Sequence, residues 1–157
     1  MNNYIRKATV NDIQKIDVLL YEVQKIHNEV RPDLFKLGAK KYTDEQLKDI
    51  IKNDKTPIFV FEKNENILGY AFCIFKQELN SNTLTSIKTL YIDDLCVDEH
   101  FRGEHIGTEL YNFVINYAKE NGFYNVTLNV WADNVNALKF YESIGMKIQK
   151  IGMEKIL

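Results

Sequence analysis

The 157-residue chain predicts an α/β protein, a mixed sheet covered by helices on both faces. Two kinds of apolar pattern predict it, and so does their order. Short runs of alternating or continuous hydrophobicity read as strands, and longer stretches with apolar residues three and four apart read as helices. Together they follow the order β-α-α-β-β-β-α-β-α-β. A mixed sheet packed between helices is the economical way to bury that set of faces. No linker, repeat or low-complexity segment interrupts it, so residues 1–157 are read as one domain.

Tyr4 to Ala8 is the first strand. Thr9-x-x-Asp12 resembles a capping box, and Ile13, Ile16, Leu20, Val23, Ile26 and Val30 follow on one helical stripe. His27 falls on that stripe as a core or rim histidine. Arg31-Pro32 ends the helix, because the residue before proline avoids the α region. Thr43-x-x-Gln46 is a second capping box, opening a short helix with Leu47, Ile50 and Ile51 inward. Ile58 to Phe61 and Ile67 to Phe75 form a hairpin about Lys63-Asn64-Glu65-Asn66. Lys76 to Ser86 is a polar loop, and Ile87 to Val97 a long strand. From Ile106 a helix turns Leu110, Phe113, Val114, Tyr117 and Ala118 inward, and Asn121-Gly122 gives it a left-handed stop. Val126, Leu128 and Val130 alternate along a further strand. Asp133 or Asn134 caps a fourth helix carrying Ala137, Leu138, Phe140, Tyr141 and Ile144, which Gly145 stops. Met146 to Leu157 is expected to be a final strand.

Apolar content of 45% and charged content of 27% suit a globular protein with a substantial core. The net charge of −2 gives nucleic acid no electrostatic footprint. Cys73 and Cys96 lie in apolar runs and form no CxxC, so both are read as buried thiols of a reducing compartment. MNNYIRKATV lacks an apolar core of signal-peptide length, and nowhere do about 18 apolar residues run together. A cytoplasmic location with no membrane partner is the expectation.

The segment that carries chemistry is Val97-Asp98-Glu99-His100-Phe101-Arg102-Gly103-Glu104-His105-Ile106-Gly107-Thr108. It joins a buried strand to a helix start through a glycine-bearing turn. Unpaired N–H groups and partial positive charge meet at such a point, which suits it to phosphate. Arg102 adds a fork of donors. A P-loop needs one more residue between the glycines, and a lysine. A dinucleotide fingerprint needs three glycines after an early strand. His100 and His105 lack the partners of a zinc site, so no metal is expected.

Arg102-Gly103-Glu104-His105-Ile106-Gly107 resembles the acyl-CoA pyrophosphate loop of the GCN5-related N-acetyltransferase (GNAT) family, whose pattern is Arg/Gln-x-x-Gly-x-Gly/Ala. Asn134-Val135-Asn136-Ala137-Leu138-Lys139-Phe140-Tyr141-Glu142-Ser143-Ile144-Gly145-Met146 is similar to the family's second block. A helix and a strand separate the two blocks, as in the family, and the element order matches over nearly the whole chain. One departure is His105, which stands where the family most often has its middle glycine. A positive φ there would cost a histidine about 1 kcal/mol or more, so a helical φ is expected.

The resemblance implies acetyl-CoA as cofactor. Main-chain groups of Arg102, Gly103, Glu104, His105, Ile106, Gly107 and Thr108 would hold its pyrophosphate. The backbone of Leu95, Cys96 and Val97 would pair with the pantetheine, and Asn134, Ala137 and Tyr141 would complete the cofactor site. The main-chain N–H of Val97 would face the thioester carbonyl. Tyr141 occupies the family's general-acid position; a phenol near pKa ~10 and a thiol near ~8.5 differ by about 2 kcal/mol, which makes proton donation feasible. An alkyl-ammonium acceptor must lose a proton before it attacks. Asp93 and Asp94 lie on the strand leading to the thioester, on opposite faces by simple alternation. Asp93 is the chosen base, with Asp94 or a water ordered by Tyr91 as the other sources. Some family members carry a glutamate base where Asn129 stands here, and asparagine cannot take that proton. Glu22, His27, Glu29, Arg31 and Tyr42 are available to the acceptor wall.

The expected activity is therefore acetyl-CoA-dependent transfer of an acetyl group to a primary amine, by direct attack in a ternary complex. The alternatives are a protein lysine or N-terminal acetyltransferase and a non-catalytic acyl-CoA-binding regulatory module. The expected partners are a small-molecule amine or a peptide, and the chain is read as a monomer or homodimer.

Overall fold

The computed structural model, which describes residues 3–157, places β1 (Asn3–Lys7), β2 (Ile58–Lys63), β3 (Asn66–Lys76), β4 (Thr89–Val97) and β5 (Asn125–Leu128) in one sheet. Strand order follows the sequence. The first three pairings are antiparallel and β4 pairs β5 in parallel. The crossover to a parallel strand needs a helix, and α3 (Ile106–Glu120) supplies it.

Alternation along β2 and β3 sorts the core into two layers. Ile58, Val60, Tyr70 and Phe72 face α1 (Ile13–Val30) and α2 (Asp44–Lys52), where they meet Ile16, Leu19, Leu20 and Leu47. Phe59, Phe61, Ala71 and Cys73 face α3, where they meet Leu110, Val114 and Ala118. Both faces being covered explains why β2 and β3 read as continuous apolar runs. Tyr111 and Leu19 join the buried set beyond the stripes expected from the sequence.

Both expected capping boxes form. Thr9 and Asp12 make the first, around a short 3-10 turn at Val10–Asp12, and Thr43 and Gln46 make the second. Asp12 also receives both Arg6 amino groups, at 2.8 and 2.9 Å, and Arg6 reaches on to Glu62 at 2.8 Å. That one guanidinium ties β1, the entry to α1 and β2 together.

Gly69 sets how closely α3 approaches the sheet. A Cβ there would lie 2.9 Å from the Cys96 carbonyl oxygen, 3.0 Å from Leu110 Cδ1 and 3.3 Å from Ile106 Cγ2. Only glycine lets the start of α3 rest on the β3–β4 ladder at this point.

Two expectations are corrected. β5 stops at Leu128 instead of running through Val130. The final strand does not form: Met146 to Leu157 makes no ladder, and every residue from Lys147 onward is exposed. Met146 still packs on the α3-side core, and the apolar residues beyond it are exposed.

Candidate active site

β4 is longer than its parallel neighbour. The β4–β5 register ends at Ile92↔Leu128, whereas the β3–β4 register continues to Gly69↔Val97. Residues 93–97 therefore keep β3 on one edge and have no strand on the other. The Asp98 N–H donates to the Leu68 carbonyl at 2.8 Å, so by alternation the Val97 and Leu95 N–H groups face the open edge. The sheet is splayed there, with unpaired donors lining the gap.

The gap leads to the start of α3. The first main-chain bond of that helix is Glu109 N–H to His105 C=O at 3.0 Å, so the N–H groups of Ile106, Gly107 and Thr108 have no helical acceptor. The loop reaches this point through two left-handed residues, Gly103 (φ 87°) and His105 (φ 64°). The helical φ expected at His105 is thus wrong. The chain must reverse between Arg102 and Ile106, and it does so with His105 as the residue preceding α3, its side chain exposed. A Cβ at Gly103 would meet nothing within 4 Å, so the approach to the loop is clear on that side. Lys63 steadies the loop through Glu104 at 3.6 Å. Arg102 is exposed; burial and then Asp98 raise the pKa of nearby Glu22, and Arg102 opposes that rise in part.

α4 (Val135–Ser143) closes the other side of the gap. Asn134 caps it, its side chain accepting from the Ala137 N–H at 3.2 Å, so both residues are committed to holding the helix start. Phe140 rests against Gly107, and a Cβ at Gly107 would lie 3.4 Å from Phe140 Cζ and 3.6 Å from Val97 Cγ2. Tyr141, the next residue, is largely buried. Burial, then Asp94 and Cys96, push its phenol well above the ordinary value.

The two aspartates do not alternate as expected. A β-bulge pairs Phe72 with Asp94 and Cys73 with Ile92, leaving Asp93 without a partner. Leu90, Ile92, Leu95 and Val97 all pack on the α3 side, and the two residues inserted between Ile92 and Leu95 both turn to the other face. Asp93 accepts from Lys41 at 2.9 Å and from the Tyr42 hydroxyl. Tyr42 stacks on Phe72 with ring centroids 5.6 Å apart. Asp94 accepts from the hydroxyl of the fully buried Tyr70 at 2.6 Å. Burial raises the Asp94 pKa to about 6; the Tyr70 hydrogen bond and Lys41 oppose the rise, and Asp93 adds to it. Asp94 is thus the carboxyl poised near neutrality, while Asp93 is held in an ion pair.

Sequence reasoning misses Tyr70 and Lys41, and it offers Tyr42 to the acceptor wall without joining it to the aspartates. One signal was present: a tyrosine inside an otherwise apolar strand needs a partner for its hydroxyl. Tyr91 accepts from Asn129 Nδ2 at 3.1 Å, just past the end of the β4–β5 ladder. Cys96 is a buried free thiol, like Cys73, and burial pushes both up, Cys73 to about 12. His27 is half-buried and packs on Phe35 at 4.8 Å, a rim residue whose pKa burial lowers. Glu22 keeps one carboxylate oxygen buried with no partner among the described residues. Among those residues no three His, Cys, Asp or Glu side chains stand together as metal ligands, and no helix is long and apolar enough to cross a membrane.

A sequence model of the acetyltransferase (GNAT) family matches residues 22–146, which include the splayed strand, the loop and α4. An uncharacterized N-acetyltransferase of Methanocaldococcus jannaschii is 29% identical over 94% of this chain, which spans 62% of that relative's length. A glucosamine 6-phosphate N-acetyltransferase of Arabidopsis thaliana is 35% identical over 43% of this chain and 44% of its own. Among solved structures, a mutant of the BH1408 protein from Bacillus halodurans superposes with a TM-score of 0.93 at 33% identity, over 98% of this chain and 99% of that one. The Arabidopsis enzyme's crystal structure superposes at 0.69 with 26% identity over 99% of each chain.

Proposed function

The chain belongs to the acetyltransferase (GNAT) family, and from that premise we propose that it transfers an acetyl group from acetyl-CoA to a primary amine by direct attack in a ternary complex. The observation that carries this reading is the splay of β4 from β5 beside the unpartnered N–H groups of α3. An extended amide-bearing arm fits the open edge of residues 93–97, where it would be treated as an added strand. A diphosphate fits the loop from Arg102 to Thr108, whose donors are main-chain groups beside a glycine that leaves the approach clear. The bound group supplies an activated acetyl thioester.

The chain's own residues have separate tasks. Val97 N–H would donate where negative charge develops on the carbonyl oxygen. Asp94 takes the proton of the attacking amine, for which a pKa of about 6 is well placed. This reading moves the base from Asp93 to its neighbour, because Asp93 is already bound to Lys41 and Tyr42. Tyr141 would donate a hydrogen bond to the thioester sulfur. Its raised pKa widens the gap to a thiol, so Tyr141 would act by hydrogen bonding, with solvent supplying the proton.

Segment 31–43 between α1 and α2 is the acceptor wall, held to the bulge by Lys41 and Tyr42. The two buried free thiols support a reducing, cytoplasmic setting. The test is a thiol-release screen with acetyl-CoA against simple amines, polyamines, amino sugars and peptides. Amine-dependent release of free thiol is the expected result. Binding of acetyl-CoA without release above hydrolysis would make the chain a cofactor-binding module instead.

A further inference from the structure

The fold itself delivers a primary amine to the paired aspartates. Lys41 lies between α1 and α2, in a segment that forms neither helix nor strand, and its Nζ donates to Asp93 Oδ1 at 2.9 Å. Asp93 and Asp94 are the two residues that the bulge turns to the same face. The ammonium therefore stands one residue from the carboxyl assigned as the base. It is near enough for its charge to act on both Asp94 and Tyr91.

Two neighbouring lysines are held differently. Lys40 is clamped between Asp17 of α1, at 2.7 Å, and Asp44 of α2, with its side chain only 17% exposed. Lys48 pairs with Glu45 on the surface of α2 at 3.2 Å and is 47% exposed. Lys41 matches Lys48 in exposure, at 44%, and like it has a single carboxylate partner. What separates them is where that partner lies. Asp93 belongs to the splayed end of β4, beside the gap between the strands. An ion pair this open is weak, so the Lys41 ammonium can leave Asp93 and return.

We propose that the protein acetylates its own Lys41, which serves as an acceptor within the same copy when no other amine fills the cleft. This rests on the acetyl transfer proposed above and adds to it a modification site. Lys41 Nζ gives up a proton, forms a bond to the acetyl carbonyl carbon, and the bond from that carbon to sulfur breaks. Of the three ammonium protons, one stays on the amide nitrogen and one is released through Asp94. The third leaves with the thiol by way of solvent. The neutral amide no longer pairs with Asp93, so the segment 31–43 loses a tie to the bulge.

The full chain is incubated with acetyl-CoA and no added amine, and each lysine is followed by peptide mass spectrometry. Lys41 is expected to be modified at least about tenfold faster than Lys48, its match in exposure. The rate per molecule is expected to hold over an about tenfold range of protein concentration, as reaction within one copy requires. Asp94→Asn is expected to slow Lys41 at least about tenfold and to leave Lys48 unchanged. Lys41 modified no faster than Lys48 overturns the proposal, and so does an Asp94→Asn variant in which Lys41 keeps its rate. A rate that climbs with protein concentration overturns it too, since one copy would then modify another. Thiol release with an added amine is read in parallel. Release without a mark on Lys41 overturns this proposal alone, whereas no release and no mark overturns the transferase reading with it.

Discussion

The Tyr70 hydroxyl reaches across from β3 to donate to Asp94 Oδ2 at 2.6 Å, while Asp93, one residue away, is taken by Lys41 and Tyr42. Two adjacent carboxylates are thereby made unequal. The rate profile follows from Asp94, the one outside the ion pair. Activity as a base requires ionised Asp94, so kcat/KM rises with pH through an acidic limb near 6. Asp94→Asn removes that limb and lowers kcat/KM by about 100-fold or more. Tyr70→Phe deletes a bond to the charged form and moves the limb to higher pH. A limb unmoved in both variants would take Asp94 out of the mechanism.

The same shift has a stability signature. The folded-state pKa of Asp94 lies above its usual value of 3.8, so between those values the native state binds more protons than the unfolded chain. This residue's contribution falls as pH rises through that window. Asp94→Asn flattens the decline, as chemical denaturation at pH 4, 5, 6 and 7, spanning about that window, reads directly.

Asp93→Asn behaves differently. It keeps the acidic limb but moves it to lower pH, because the Asp93 charge no longer raises Asp94, and it breaks the Lys41 ion pair, loosening the segment that leads into α2. The acceptor's KM rises while that of acetyl-CoA stays within about twofold, and exchange of amides 38–43 quickens. Loss of the limb in this variant would return the base role to Asp93.

Most of the fold was legible because its signals are local. The two capping boxes, the Arg31-Pro32 stop and the Asn121-Gly122 turn each depend on residues within a few positions. The loop and α4 were legible as motifs. The order of Asp93 and Asp94 was not, since strict alternation was assumed where the apolar residues run 90, 92, 95 and 97. That spacing already contains the bulge, but only pairing with β3 shows which residue is extra. Tyr70 and Tyr42 come from elements distant in sequence, and no local pattern joins them to the aspartates. The missing last strand was misread for a related reason: strand-forming composition states a preference, not a partner.

Gly69→Ala probes the contact that no motif announced. The added methyl would sit 2.9 Å from the Cys96 carbonyl oxygen, a main-chain atom that cannot turn aside, and 3.0 Å from Leu110 Cδ1. Relief requires α3 or β4 to shift, at a cost of about 1–3 kcal/mol. For a chain of this size the melting midpoint falls by roughly 2–4 °C per kcal/mol. The shift also moves the start of α3, so affinity for coenzyme A weakens along with stability. An unchanged midpoint would show that the layers are looser than the 2.9 Å distance implies.

Position 105 offers the opposite experiment. His105 holds φ 64° and ψ 17° at the entrance to α3, a region that costs a side-chain-bearing residue about 1–2 kcal/mol. Glycine removes that cost but gives the unfolded chain more freedom, worth about 0.5–1 kcal/mol in the other direction. The net gain for His105→Gly is therefore small, up to about 1 kcal/mol, and His105→Ala, which keeps the strain, brings none. Coenzyme A affinity separates the two roles a histidine can have here. If the main-chain N–H groups hold the diphosphate and the exposed imidazole does not, His105→Gly binds within about threefold of the parent. A tenfold loss in both His105→Gly and His105→Ala would assign the side chain a direct contact. Calorimetric titration of the parent and the two variants decides between them.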